Sequence, residues 1–245
     1  MLLNFVISTE LLFITALLQD AEVEGWVDLQ NHFWDKYHLG YRMLQGNHLD
    51  IFTSDSWKVQ LGKATSEIEQ MIDEGMKTDL YTKLLANAED YKKWLEDEWV
   101  RNTDKIETEL KNIVKTDLPD AVFTVYVMGN LMHVGRYLGN EKIAWGHKEE
   151  WDNYSLVYLV HEYLHEYFSY NQLEHAVIEL IADNELRIRL NKSGEYFTCE
   201  GKSVGHEDLR DIENKILPYW QKYLADTSKN IYEFVDELKE KYQDN

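Results

Sequence analysis

Thr116-Asp117-Leu118-Pro119-Asp120-Ala121-Val122-Phe123-Thr124-Val125-Tyr126-Val127-Met128 is the stretch on which the fold turns. Before it, over Ser66 to Met76 and Thr78 to Thr116, apolar residues recur every three or four positions among charges, as amphipathic helices require. Pro119 stops that pattern, because the residue before a proline avoids helical backbone angles. Ala121 to Met128 is then β-branched and aromatic, reads as a buried strand, and closes at Gly129-Asn130. Two glycine-bounded pieces follow, Leu131 to Val134 and Gly139 to Gly146, and fit a small sheet with short turns. The helical period returns over Ser155 to Phe168, Gln172 to Leu190, Asp208 to Leu224 and Ile231 to Lys241. The expected fold is α+β and predominantly helical. A helical region occupies 1–118, and a small mixed or antiparallel sheet followed by helices occupies 119–245.

With 245 residues, 44% of them hydrophobic, the chain buries a large core. Its 45 acidic side chains against 25 Lys and Arg give a net charge of -20, spread over both halves, which repels phosphate backbones and anionic headgroups. Nucleic acid is therefore not an expected partner. Cys199 is the single cysteine, so any metal must be held by histidine and carboxylate. Met1 to Leu18 is apolar, yet no Lys or Arg precedes it and Glu10 interrupts it. It falls short of the uncharged run of about 18 residues that spans a bilayer. It reads as a buried amphipathic helix, and the expected location is cytoplasmic, with no membrane span.

The chemistry concentrates in Leu159-Val160-His161-Glu162-Tyr163-Leu164-His165-Glu166. On a helix, residues four apart share a face, so His161 and His165 converge on one point, as tetrahedral Zn²⁺ requires. Glu162 sits beside the first histidine, placed to take a proton from a metal-activated water. With 9 histidines and 45 acidic residues in the chain, the pattern arises by accident about 0.06 times at most. Ser169-Tyr170-Asn171 reads as the turn of a helical hairpin. Mirrored across that turn, the metal's level meets the second helix near 177 or 178, and Glu179 is the nearest carboxylate. Asp183, four residues on, is placed to accept a hydrogen bond from the outer nitrogen of a ligating histidine. Glu174 lies nearer the turn, beyond the metal's level.

His161-Glu162-x-x-His165 followed by Glu179-x-x-x-Asp183 resembles the gluzincin arrangement of thermolysin-like zinc metallopeptidases, and the strand-to-helix stretch is similar to small bacterial proteins predicted to be zinc-dependent proteases. It departs from thermolysin in a shorter gap between His165 and Glu179, and in Ile178 where those enzymes often carry Asn. The resemblance implies that 119–245 is a catalytic region binding Zn²⁺ through His161, His165 and Glu179. It implies a hydrolase of peptide bonds in peptide or protein substrates, with Glu162 as general base. It implies, too, that Gly139 to Gly146 forms the rim strand pairing with extended substrate, and that a downstream residue stabilises the oxyanion. His206, Tyr196 and Tyr219 are the candidates, His206 the favoured one. A metal-binding sensor or regulatory protein with the same site and little proteolysis is the alternative.

Other residues have plainer readings. His175, one turn before Glu179, reads as a fourth ligand, a substrate contact or an exposed histidine, the last preferred, and His32, His38, His48, His133 and His147, which show no ligand spacing, as structural. The tryptophans read as core anchors, with Trp145 able to line a specificity pocket on the rim strand. Cys199 reads as a small buried side chain.

Overall fold

In the computed structural model, which describes residues 1–19, 24–54, 57–169 and 171–243, Met1 to Leu18 divides into a strand, β1 (Leu2–Val6), and a helix, α1 (Thr9–Leu18). Ser8 sets the division: its hydroxyl accepts the Leu11 N–H and satisfies a donor left open at the helix start. The expectation of one amphipathic helix is corrected on both counts, because Leu11, Leu12, Phe13, Ile14, Thr15, Ala16 and Leu17 are all buried. A helix apolar on every side belongs inside a core. No described helix is long and apolar enough to cross a membrane.

The elements that follow are α2 (Trp26–Lys36), α3 (His38–Leu44), α4 (His48–Phe52), α5 (Trp57–Leu61), a 3₁₀ turn at Gly62–Ala64, α6 (Thr65–Gly75) and the 36-residue α7 (Asp79–Val114). Next come β2 (Val122–Val127), β3 (Arg136–Gly139), β4 (Lys142–Trp145), α8 (Tyr154–Leu164), α9 (Gln172–Glu179), a π-helical segment at Leu180–Leu186 and α10 (Arg187–Asn191). A hairpin of β5 (Thr198–Cys199) and β6 (Lys202–Ser203), a 3₁₀ turn at Glu207–Leu209, α11 (Arg210–Ala225) and α12 (Ile231–Gln243) complete it. Helix accounts for 64% of the protein, about twice the ordinary share. The fold is α+β and predominantly helical, with a small mixed sheet.

Two compact units are present, one of Met1–Leu2, Asp97–Phe123 and Lys148–Asn245, the other of Leu3–Glu96 and Thr124–His147. The boundary expected at 118/119 falls inside the first, because α7 and β2 each carry the chain continuously from one unit into the other.

In the second unit, α1 is the centre of the core. Phe13 makes edge contacts with Trp26, Phe33 and Tyr81 at ring separations of 6.4, 5.8 and 5.9 Å. Gly75 makes room for it, since a Cβ there would lie 2.0 Å from the Phe13 ring. The sheet has the order β1-β2-β4-β3, with β2 parallel and β3 antiparallel to β4. The period-two pattern of β2 holds, with Phe123, Val125 and Val127 buried. Leu131 to Val134 is irregular instead of extended, and the expected strand lies at β3. Because β4 is flanked on both sides, it offers no free edge for peptide addition, which corrects the rim-strand expectation for Gly139 to Gly146. Trp145 is buried and donates its indole N–H to the Tyr91 hydroxyl at 2.9 Å, so it anchors the core.

In the first unit, the C-terminal part of α7 is tied to the end of α11. Lys115 Nζ donates to the carbonyls of Tyr223, Leu224 and Asp226 and lies 4.1 Å over the Tyr223 ring. A cation at a helix C-terminus satisfies carbonyls that have no partner within the helix. Phe123 packs on Tyr163 of α8 with ring centres 4.8 Å apart, fixing the helix that carries the histidine motif. Cys199, expected to be buried, is half-buried on β5.

Candidate metal centre

Leu156, Val157, Leu159, Val160, Tyr163 and Leu164 make α8 a core helix, and its buried setting takes His161 and Glu162 inside with them. His165 caps the helix, and the chain tightens through Glu166 N to Tyr163 O and Tyr167 N to Leu164 O. Of the expected turn, Tyr170 lies outside the described residues. Asn171 starts α9: its side chain accepts the Glu174 N–H at 2.9 Å, while Glu174 accepts from Ser169 N at 2.7 Å and Asn171 Nδ2 at 2.8 Å. Lys239 of α12 lies 2.9 Å from the same carboxylate. Glu174, the rival carboxylate, is thus committed to the N-terminal cap of α9 and to Lys239.

His161 Nδ1 and Asp183 Oδ1 are 2.9 Å apart, both groups buried. That bond turns His161 Nε2 toward His165 and His175. The ring centres are 5.0 Å apart for His161 and His165, 4.8 Å for His165 and His175, and 5.3 Å for His161 and His175. Each of these three rings offers a nitrogen within 4.8 Å of the others. A second group with the same spacing joins His175, Glu179 and His206, so His175 belongs to both. Among the described residues no such group holds His161, His165 and Glu179 together. Glu179 Oε1 accepts from His206 N at 2.9 Å and pairs with His206 Nδ1 at 2.5 Å, and it lies 4.0 Å from His175 Nε2.

A π-helical segment begins directly after Glu179. Asn184 ties it down, donating Nδ2 to the Glu179 carbonyl at 3.0 Å and accepting the Phe197 N–H at 2.6 Å. π turns of this kind recur at functional sites. Arg187, fully buried, holds the next turn by donating Nε to the Asp183 carbonyl at 2.7 Å. Gly205 seals the cluster from the other side: a Cβ there would stand 2.3 Å from Glu179 Oε2 and 3.4 Å from Asp183 Oδ2, and its φ of +78° suits glycine.

The charge balance favours a cation. Glu179 and Asp183 are both 0% exposed, and Oε2 of the first and Oδ2 of the second are buried without a hydrogen-bond partner. Unsatisfied carboxylate oxygens are costly inside a protein, and a metal ion satisfies them, as a protonated carboxyl such as Glu213 does for Glu179. Burial opposes charge on His161, but Asp183 overrides it through its charge and hydrogen bond, lifting the imidazole to about 9. Burial depresses His165 to about 3 and His175 to about 4, with His161 adding to both. His206 is raised by its bond to Glu179. Glu213 of α11, buried beside Arg210 Nη1 at 2.8 Å, is pushed well above the usual carboxylate range by burial, by the Glu179 charge and by a hydrogen bond to Glu179.

Of the sequence-derived residues, His161, Asp183, Glu179 and His206 are linked by direct contacts, and His165 and buried Glu162 stand beside them on α8. His175 departs from the expected exposed histidine: its ring joins both groups. The two other oxyanion candidates are occupied elsewhere, Tyr196 with Glu185 and Trp220, Tyr219 with Lys241. Gly205 and Glu213 had no sequence signal, whereas His175 had one, standing four residues before Glu179 on the same helical face. None of the protein-family models, curated proteins or solved structures compared with the chain matches it.

Proposed function

We propose that the chain is a zinc-dependent peptidase of gluzincin-like type, holding the ion with His161, His165 and Glu179. The observation that carries this reading is the buried Asp183 on His161 Nδ1, which holds the ring with Nε2 facing the other histidines. Metal-ligating histidines are oriented in this way by a carboxylate behind them. The orphaned Glu179 and Asp183 oxygens support a cation in the same place. When bound, zinc supplies a Lewis acid that polarises the scissile carbonyl and acidifies a water. Glu162 holds the proton taken from the attacking water and delivers it to the departing amine of the substrate. His206, half exposed and with Nδ1 held by Glu179, presents its other face to a developing oxyanion.

Glu162→Gln tests the reading. The variant keeps its zinc and loses peptide hydrolysis by a factor of at least about 10²–10⁴. Equal turnover of a mixed peptide library by both proteins rejects the mechanism. A metal-binding regulatory protein is the second reading, favoured by the presence of more donors than a catalytic zinc requires. Zinc retained without any measurable peptide turnover in the wild type supports it.

A further inference from the structure

His175 stands one turn before Glu179 on α9, with Nε2 3.3 Å from His161 Nε2 and 4.0 Å from Glu179 Oε1. Two imidazole nitrogens bound to one tetrahedral zinc at about 2.0–2.1 Å lie about 3.3–3.4 Å from each other. The separation of His161 and His175 is the edge of such a tetrahedron. A simple hydrogen bond between the two rings accounts for that distance alone. It does not account for the third ring, His165, whose ligand atom lies within 4.8 Å of the other two. Nor does it satisfy the carboxylate oxygens buried beside them.

We propose that His175 is a ligand of the metal, completing a triad with His161 and His165, while Glu179, 4.0 Å from His175 Nε2, stands at the edge of that triad. The proposal rests on the zinc reading above and changes its coordination chemistry. Three imidazoles leave one position of a tetrahedral zinc for water or for Glu179. His206 positions Glu179 at that edge, since both its backbone N–H and its ring engage Oε1.

The test compares wild type, His161→Ala, His175→Ala and His175→Asn in zinc affinity by chelator competition, and in the absorption spectrum of the Co²⁺-substituted proteins. The His175 side chain is 25% exposed, so both replacements leave the core unbroken, and circular dichroism verifies this. Loss of an outer hydrogen-bond partner of a ligand costs about 10–100-fold in affinity. Loss of His175 weakens zinc by at least about 100-fold and changes the Co²⁺ ligand-field bands. Zinc bound as tightly by both His175 variants as by wild type, with unaltered Co²⁺ spectra and a loss only in His161→Ala, overturns the assignment and leaves the zinc reading intact. A wild type that binds no zinc overturns both.

Discussion

Gly205→Ala, read against Gly201→Ala, isolates one contact at the centre of the site. Both glycines have a left-handed backbone, with φ of +78° and +81°, so an L side chain costs about 1–2 kcal/mol at either. Around Gly201 a Cβ meets nothing within 4 Å, whereas at Gly205 it would stand 2.3 Å from Glu179 Oε2. Real Cβ contacts do not fall below 3.0 Å, so the carboxylate or the loop must move by at least 0.7 Å, the difference between 3.0 and 2.3 Å. Metal–ligand distances tolerate only about 0.2 Å, and movement of the loop instead breaks the 2.9 Å bond from His206 N to Glu179. Urea denaturation should therefore show comparable backbone losses in the two variants. Chelator competition should show zinc affinity unchanged in Gly201→Ala and reduced by at least about 100-fold in Gly205→Ala, roughly 2.8 kcal/mol. Equal zinc affinity in the two variants would refute the placement of Glu179 on the metal.

Asp183→Asn keeps the size of the side chain but removes the charge behind His161, and zinc affinity should fall about 10–100-fold by the same competition measurement. Lys115→Met leaves the carbonyls of Tyr223, Leu224 and Asp226 without their shared donor. It should lower the urea-derived stability by about 1–3 kcal/mol without changing zinc affinity. His48 is buried with neither ring nitrogen hydrogen-bonded, and burial, followed by the Arg136 charge, lowers it from 6.5 to about 4. The unfolded chain binds the proton first, so this contribution is present above about pH 6.5 and is lost as pH falls toward 4. Relative to His48→Leu, the wild type should lose up to about 3 kcal/mol between pH 7 and pH 4 in equilibrium unfolding.

The pairing of His161 and His165 was legible because spacing alone brings them to one face. Glu179 and Asp183 were legible because a short hairpin reflects one helix onto the next. His175 carried the same kind of signal, four residues before Glu179, but a lone histidine on a helix has no sequence mark that separates ligand from surface residue. Gly205 and Glu213 reach the cluster through the tertiary course of the β5–β6 hairpin and α11, which no local spacing encodes. At the chain start, β1 was hidden because the apolar run from Leu2 to Val6 continues into α1, which is apolar on every side. The boundary at Pro119 was legible as a change of secondary structure. The division into units was not, since α7 and β2 each run through its borders without a break in secondary structure.

The π segment after Glu179 makes the centre sensitive to the count of residues as much as to their identity. Each residue of an α-helix advances about 100° around the axis. Deleting any one residue between Leu180 and Leu186 would let the wide turn close as ordinary helix with the flanking helices near their present phase, and the residues inside the turn, Asp183 among them, would rotate. Arg187 would stay near the Glu195 carbonyl it holds at 2.7 Å while the Asp183 carbonyl it also holds moved. The widened turn thus sets the angle of Asp183 against its flanks, and chains sharing every named side chain but lacking one residue here would present the same letters with Asp183 out of step.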